Sequence, residues 1–301
     1  MAHIYQAYGF TIASTIPLTA LVAGSALPDV HIHPATITPK PLPPLTTDST
    51  TLVSVDDIRI TYPNIGTFLV RQGSEIQFDI NSGVTDDVIQ WFILGPMFGI
   101  LLHQRGLLTL HGSCVGIAHN AVAFLAPSTG GKSTMAGSMY SRGHALLADD
   151  ITALDINGES VNVFPAFPHL KLWPEAATFL DHHPDTLPRI FAAEEKRLLS
   201  AQAHFSLDAV ALRQIYVLDD GDHIKIDRLP RQEATIELLR HSYCAQLEGY
   251  VSPPEYFLRC AALARILPIY RISRPRIMEQ ITEIAKAVED NLAQLLMSKF
   301  G

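Results

Sequence analysis

The segment Ala121-Val-Ala-Phe-Leu125-Ala-Pro-Ser-Thr-Gly-Gly-Lys-Ser-Thr134 decides how this sequence is read. Residues 121–125 are apolar and predict a strand, Gly130-Gly131 predicts a turn that no Cβ obstructs, and Met135 to about Ser141 predicts a helix. Strand, glycine-containing loop and helix in that order form the setting of a phosphate loop. Backbone N–H groups of such a loop converge on phosphate oxygens, and the helix N-terminus adds its dipole. Ser128, Thr129, Gly130, Gly131, Lys132, Ser133 and Thr134 are therefore expected to hold the phosphates of a nucleotide. Lys132 is placed to reach the β- and γ-phosphates, and the Ser133 hydroxyl to take a Mg²⁺ site. Capping alone would also account for Gly-Gly-Lys-Ser-Thr as a helix start. Ala126, followed by Pro127, stands where the usual loop pattern has glycine.

Downstream, Arg142-Gly143-His144 ends the helix, and Ala145-Leu-Leu-Ala148 reads as a buried strand with Asp149-Asp150 at its end. A right-handed βαβ unit puts this strand parallel to the first and near it, and ligands sit beyond the carboxyl ends of such strands. Two carboxylates then arrive where Lys132 and Ser133 point. One is suited to take an acceptor hydroxyl's proton, the other to hold Mg²⁺ directly or through water. Capping the next turn is their competing role. Upstream, His111-Gly112-Ser113 follows a strand Leu107–Leu110. If that strand flanks the loop strand, His111 faces the γ-phosphate or the acceptor. Cys114–Ala118 predicts a further short strand, with His119-Asn120 as a two-residue turn.

The rest of the chain sets bounds. Its 301 residues are 48% hydrophobic and 17% charged, with a net charge of −8 and no Lys/Arg run, so nucleic acid and strongly anionic membranes are poor partners. The longest nearly uncharged apolar stretch in mid-chain, Trp91–Leu102, is well short of the roughly 20 residues a membrane span needs. The first 27 residues hold no Lys or Arg, so Thr11–Leu27 does not read as a signal peptide, and a cytoplasmic location is expected. Cys114, Cys244 and Cys260 support neither a disulfide framework nor a CxxC metal site, and His182-His183 lacks partners at zinc spacing. Residues 1–85 read as a β-rich N-terminal domain. Tyr8–Ile12 alternates, residues 28–50 hold six prolines and predict a connector, and runs at 51–55, 58–62, 66–70 and 76–80 predict an antiparallel sheet. A helix is expected from Asp86 to about Gln104, with a break at Gly95-Pro96. Arg276–Phe300 is an amphipathic packing or interface helix. The fold class is α/β, α+β overall, with residues 86–301 as the second domain.

Leu110-His-Gly-Ser113, the loop 126–134, Arg142-Gly-His144 and Ala148-Asp-Asp150, in that order and spacing, resemble the catalytic core of the HPr kinase/phosphorylase family, which is related to phosphoenolpyruvate carboxykinase. The likeness covers about residues 100–155, and Ala126 and Thr129 depart from it where HPr kinases carry glycine. The resemblance implies a phosphate-loop kinase core using ATP and Mg²⁺, with Asp149 as the base that activates an acceptor serine and His111 supporting it; Asp150, the other acid, is then expected at the metal with Ser133. Tyr5-Gln-Ala-Tyr-Gly-Phe10, Ser14-Thr-Ile-Pro-Leu18, Leu102-His-Gln-Arg-Gly-Leu107 and Pro168-His-Leu-Lys-Leu-Trp173 resemble the HPr-kinase-like proteins found with lasso-peptide biosynthesis enzymes. Those kinases phosphorylate the C-terminal residue, usually Ser, of the precursor peptide, which makes that peptide the implied partner. HPr fits less well, because the N-terminal part does not resemble that of HPr kinase. Lys196-Arg197 is either a brace for the phosphoryl groups or a charged helix surface. Arg271, Arg274 and Arg276 read as a solvated helix start more readily than as an anion clamp, and His169 and Lys171 either face the acceptor or lie on a surface loop. A small-molecule or HPr-type kinase and a non-catalytic nucleotide sensor remain open alternatives, as does a homo-oligomer.

Overall fold

The computed structural model describes residues 2–38, 50–53, 57–243 and 253–298. Its first sheet holds β1 (His3–Ala7), β2 (Phe10–Ser14), β3 (Val22–Ala23), β4 (Val30–Pro34), β5 (Thr50–Val53), β6 (Asp57–Tyr62), β7 (Gly66–Arg71) and β8 (Glu75–Ile80), in the order β3-β1-β2-β4-β8-β7-β6-β5. Alternation decides which face is inside: Ile58 and Ile60, Phe68 and Val70, Ile76 and Phe78 are all buried. The runs from 50 to 80 pair antiparallel as expected, β5 with β6, β6 with β7 and β7 with β8. One expectation needs correction. The stretch 28–50 is not all connector, because Val30 and Ile32 are buried at alternate positions and make β4 a strand, which runs parallel to both β2 and β8. Pro39, Pro41, Pro43 and Pro44, the end of the run at 51–55, and Cys244 lie outside the described residues.

The predicted helix forms as α1 (Asp86–Phe92) and α2 (Phe98–Gln104), joined by a π-helical turn, Ile93–Met97. Pro96 has no N–H to give the helix ladder, and a widened turn absorbs the defect without ending the helix. Ile93, Leu94, Met97, Phe98, Ile100, Leu101 and Leu102 are buried, which explains the apolar run without a membrane. No helix among the described residues is long and apolar enough to cross one.

The second sheet is built from β9 (Leu108–Ile117), β10 (Asn120–Leu125), β11 (Ala145–Ala148), β12 (Ile151–Asn157) and β13 (Ser160–Phe164), with β14 (His169–Leu172) and β15 (Arg197–Ser200) forming a separate ribbon. β16 (Val210–Asp220), β17 (Lys225–Arg228) and β18 (Ile269–Arg274) complete it. The two short strands expected around His111-Gly112-Ser113 are one, β9. Gly112 lets it pass, since a Cβ there would lie 2.7 Å from Leu125 Cδ2 and 2.9 Å from the Phe124 carbonyl oxygen. The turn into β10 is Ala118-His119, both in the left-handed region, one residue before the expected pair. β10 pairs antiparallel with β9 and parallel with β16. β11 is antiparallel to β9, so it runs parallel to β10 with β9 between them.

One hydrophobic cluster joins Ile12, Val30 and Phe68 to Ile93, Phe98, Leu108, Ala148 and Ile151, so residues on both sides of position 85 share it. A second covers the other face of the second sheet. There α3 (Lys132–Ser141), beside α4 (Pro174–Phe179), meets the C-terminal helix α7 (Ile281–Met297). α5 (Arg231–Arg240) packs on α6 (Pro253–Ile266) within the first cluster. Ile281, Ile284, Val288 and Leu292 of α7 are buried, as the amphipathic pattern predicts.

Glu289 fastens α7 to the end of α3. It accepts two bonds from the Arg142 guanidinium, both 2.7 Å, and one contact of 2.7 Å from His144 Nε2. Chiefly the Arg142 bonds hold the Glu289 carboxyl down at about 2. A depressed carboxylate stabilises the fold above its unfolded pKa and loses that contribution as pH falls through the folded one. Glu289→Gln is expected to cost about 1–2 kcal/mol in urea unfolding at pH 7. The gap to the parent should narrow below about pH 4.5 and close near pH 2.

Candidate active site

The apolar end of β10 stops at Leu125, and the chain turns through residues 126–131 into α3. Gly130 N–H donates to the Pro127 carbonyl at 3.0 Å, and Thr129 and Gly131 both take positive φ, 62° and 88°. The turn is tight enough to demand glycine: a Cβ at Gly130 would sit 2.6 Å from Ala126 Cβ and 2.9 Å from Pro127 O. Arg274, at the end of β18, braces the turn from outside, donating from Nη2 to the Gly130 carbonyl at 2.8 Å. Sequence reasoning favoured a solvated Arg274, but it is 7% exposed. Arg274→Ala is expected to lower stability by about 2 kcal/mol and to loosen the loop, seen as weaker nucleotide binding in titration calorimetry.

Lys132 opens α3 and is also 7% exposed; its ammonium donates to the carbonyls of Ala126, at 2.9 Å, and Pro127, at 3.1 Å. Burial lowers its pKa, while Asp149 and Asp150 act in the opposite direction. The next residue ties helix to acids, since Ser133 Oγ donates to Asp149 Oδ1 at 2.8 Å.

The two acids are unlike. Asp149 is 3% exposed and accepts from three donors: Ser133 Oγ, Ser113 Oγ at 2.6 Å and the Lys171 N–H at 2.8 Å. Asp150 sits at φ +86°, a strained value for a non-glycine residue, and its side chain is 30% exposed. Lys171 Nζ donates to its Oδ2 at 2.8 Å, and His111 Nδ1 lies 3.7 Å from its Oδ1. Burial alone would raise the Asp150 pKa, but the Lys171 ammonium and then His111 bring it down to about 2. Burial lowers the His111 pKa against the opposing pull of Asp150. Its ring stacks on Tyr243 at 6.1 Å, and its backbone N–H donates to the His241 carbonyl at 2.7 Å.

A cavity opens over this arrangement. His111, residues 128–134, both acids, Lys171, Trp173 and Lys196 line it. Every expected site residue except Arg197 is therefore at one place. Arg197 is buried, and its guanidinium donates to the carbonyls of Pro184 and Glu195. Arg271 is paired with Asp219, Glu233 and Glu237, and Arg276 with Asp220, so neither is a free anion clamp. Lys171, left undecided by the sequence, holds both acids and has its ammonium 5.1 Å from the centre of the Trp91 ring. The roles of Ser113 and Trp173 were not foreseen. Alternation in His169-Leu-Lys-Leu172 marks one outward face for His169 and Lys171, but only Lys171 reaches the acids; His169 lies in a separate cavity beside Ala20, Trp91 and Ile190. No group of three or more His, Cys, Asp or Glu suited to a metal ion occurs among the described residues.

No family model matches the chain, and no curated protein matches it. Among solved structures it is similar to the Hpr(Ser) kinase/phosphatase from Coxiella burnetii, at 10% identity and a TM-score of 0.36, over 62% of this chain and 97% of that one. A likeness that loose decides neither fold nor activity.

Proposed function

We propose that the chain is an ATP-dependent kinase that moves the γ-phosphoryl group to a serine hydroxyl. One observation carries the reading: Lys132 and Ser133 at a helix N-terminus and the acid pair at 149 and 150 line the same cavity, joined by the Ser133–Asp149 bond. A loop of N–H donors, a buried lysine and two acids is what phosphoryl transfer needs, because its catalysis is mostly positioning and charge stabilisation. The Ser133 hydroxyl and the Asp149 carboxylate are hard oxygen donors, too few for an all-protein cage and suited to a Mg²⁺ that shares its shell with phosphates and water. Bound there, Mg²⁺ would offset the negative charge of the transferring group.

The geometry favours exchanging the roles that the resemblance gives the two acids. Asp149, enclosed and saturated with donors, orients Ser133 and the metal side. Asp150, open to the cavity and fixed between Lys171 and His111, takes the acceptor's proton as the serine oxygen bonds to the γ-phosphorus and the bond to the ADP oxygen breaks. Lys196, 5.5 Å from the centre of the Trp173 ring, adds a second cation at the mouth.

The acceptor we infer is the C-terminal Ser of a lasso-peptide precursor. What supports it is the likeness of the segments at 5–18, 102–107 and 168–173 to the kinases of that group. Incubated with ATP and Mg²⁺, a precursor peptide ending in Ser is expected to gain one phosphate by mass spectrometry, and the same peptide ending in Ala none. ATP hydrolysis with no phosphopeptide would remove the peptide and leave the nucleotide chemistry; no bound nucleotide would remove both.

A further inference from the structure

Helix α6 carries apolar side chains on two faces, and the fold buries one of them. Tyr256, Cys260 and Leu263 follow at four and three residues, the spacing of a single helical face, and all three are buried. Tyr256 Oη donates to the Thr109 carbonyl at 2.9 Å, which fastens this face to β9. Phe257 and Leu258 point the other way and are 49% and 65% exposed. Ile236 of α5, 49% exposed, joins them along a groove of about 710 Å³ between the two helices. Ala261 and Ala262 line that groove with Arg231 and Arg265, and among the described residues no acid lines it. Large apolar side chains gathered on one exposed face mark a contact surface.

The outer line of α6 decides what fits there. Glu255, Leu258, Ala262 and Arg265 follow one another at three, four and three residues, so they lie along one side of the helix. That spacing is the same in both directions. Two copies of α6 packed antiparallel about a two-fold axis near residue 260 therefore set Leu258 against Ala262 and Glu255 against Arg265, each twice. Large meets small, so Leu258 can enter the groove as the helices approach, and acid meets base at both ends. A parallel pair would instead set Glu255 against Glu255 and Arg265 against Arg265. Glu255 and Arg265 are exposed, and neither makes an ion pair among the described residues.

We propose that this face joins two copies of the chain, α6 against α6 in antiparallel register, with α5 on the flank. The apolar middle supplies the attraction and the charged ends fix the register. The contact is independent of the kinase reading.

Sedimentation of the full chain at concentrations from about 1 to 100 µM tests it, and a species of twice the chain mass is expected within that range. Glu255→Arg alone, or Arg265→Glu alone, puts like charges opposite one another twice and is expected to weaken the dimer at least about tenfold. The double substitution restores both pairs with their signs exchanged and is expected to return the affinity to within about threefold of the parent. Leu258→Asp is expected to leave only monomer, and because the side chain is 65% exposed its urea midpoint should stay close to that of the parent. A parent chain that remains monomeric throughout overturns the proposal and leaves the groove to a partner of another kind. A dimer that neither single reversal weakens, or that the double substitution fails to restore, also overturns it, because its surface or its register is then a different one.

Discussion

Replacing Lys132 by Met is expected to cut phosphoryl transfer by roughly 100- to 1000-fold, the usual effect of removing one preorganised charge from a developing anion. The ammonium lies among the loop carbonyls of Ala126 and Pro127, at the wall of the cavity that also holds both acids. It is close enough for their charges to oppose the loss of basicity that burial imposes. Met matches the length of the lysine stem and is apolar, and the two carbonyls it releases adjoin a polar cavity that water can enter. The fold should lose no more than about 1 kcal/mol in urea unfolding. Single-turnover transfer of labelled γ-phosphate measures the rate, and the unfolding curve guards against a trivial cause. A variant within about threefold of the parent would mean that the residues around Gly130 hold no triphosphate, and the proposed function would fall with it.

The local signals in the sequence were strong where chain neighbours decide structure. Gly130-Gly131-Lys132 after five apolar residues dictates a strand, a tight turn and a helix start, and the contacts of Gly130 show why no larger residue fits. Asp149-Asp150 after a short buried strand was equally legible, since β11 ends where α3 begins. Proline density hid β4, because Pro28 and Pro34 flank a strand whose only signal is the alternation of Val30 and Ile32. Polar residues hid the continuity of β9, where Ser113 is fully buried by bonding to Asp149. Lys171 and Arg274 could not be assigned for another reason. Each meets the site from an element whose position is set by long-range packing: a separate ribbon and a distant strand of the second sheet. Periodicity tells which face such a residue occupies and says nothing of what lies opposite.

Exchanging the acids one at a time separates the two roles. Asp150→Asn is expected to lower transfer by about 100- to 10,000-fold, the range for a positioned proton acceptor, with the affinity for ATP·Mg²⁺ kept within about threefold. The amide keeps the shape of the side chain and loses only the capacity to take the proton and the full attraction of Lys171. Asp149→Asn should behave differently. Its carboxylate receives Ser133 Oγ and Ser113 Oγ on one oxygen and the Lys171 N–H on the other, and an amide can offer an acceptor on only one side. Either a donor then faces the Lys171 N–H, or both serine hydroxyls must turn round to accept from the amide, in a site that is 3% exposed, at an expected cost of about 2–3 kcal/mol in stability. Ser133 also loses its anchor, so binding of ATP·Mg²⁺ should weaken by about tenfold, whereas binding of metal-free ATP, measured in excess EDTA, should change little. The contrast is what matters. If Asp149→Asn instead binds ATP·Mg²⁺ as the parent does and loses only the transfer step, the enclosed acid is the base and Asp150 belongs to the metal. Solvent access would then be a poor guide to which carboxylate meets the acceptor, and substrate binding would have to draw Asp149 away from Ser113 and Ser133 before the proton could move.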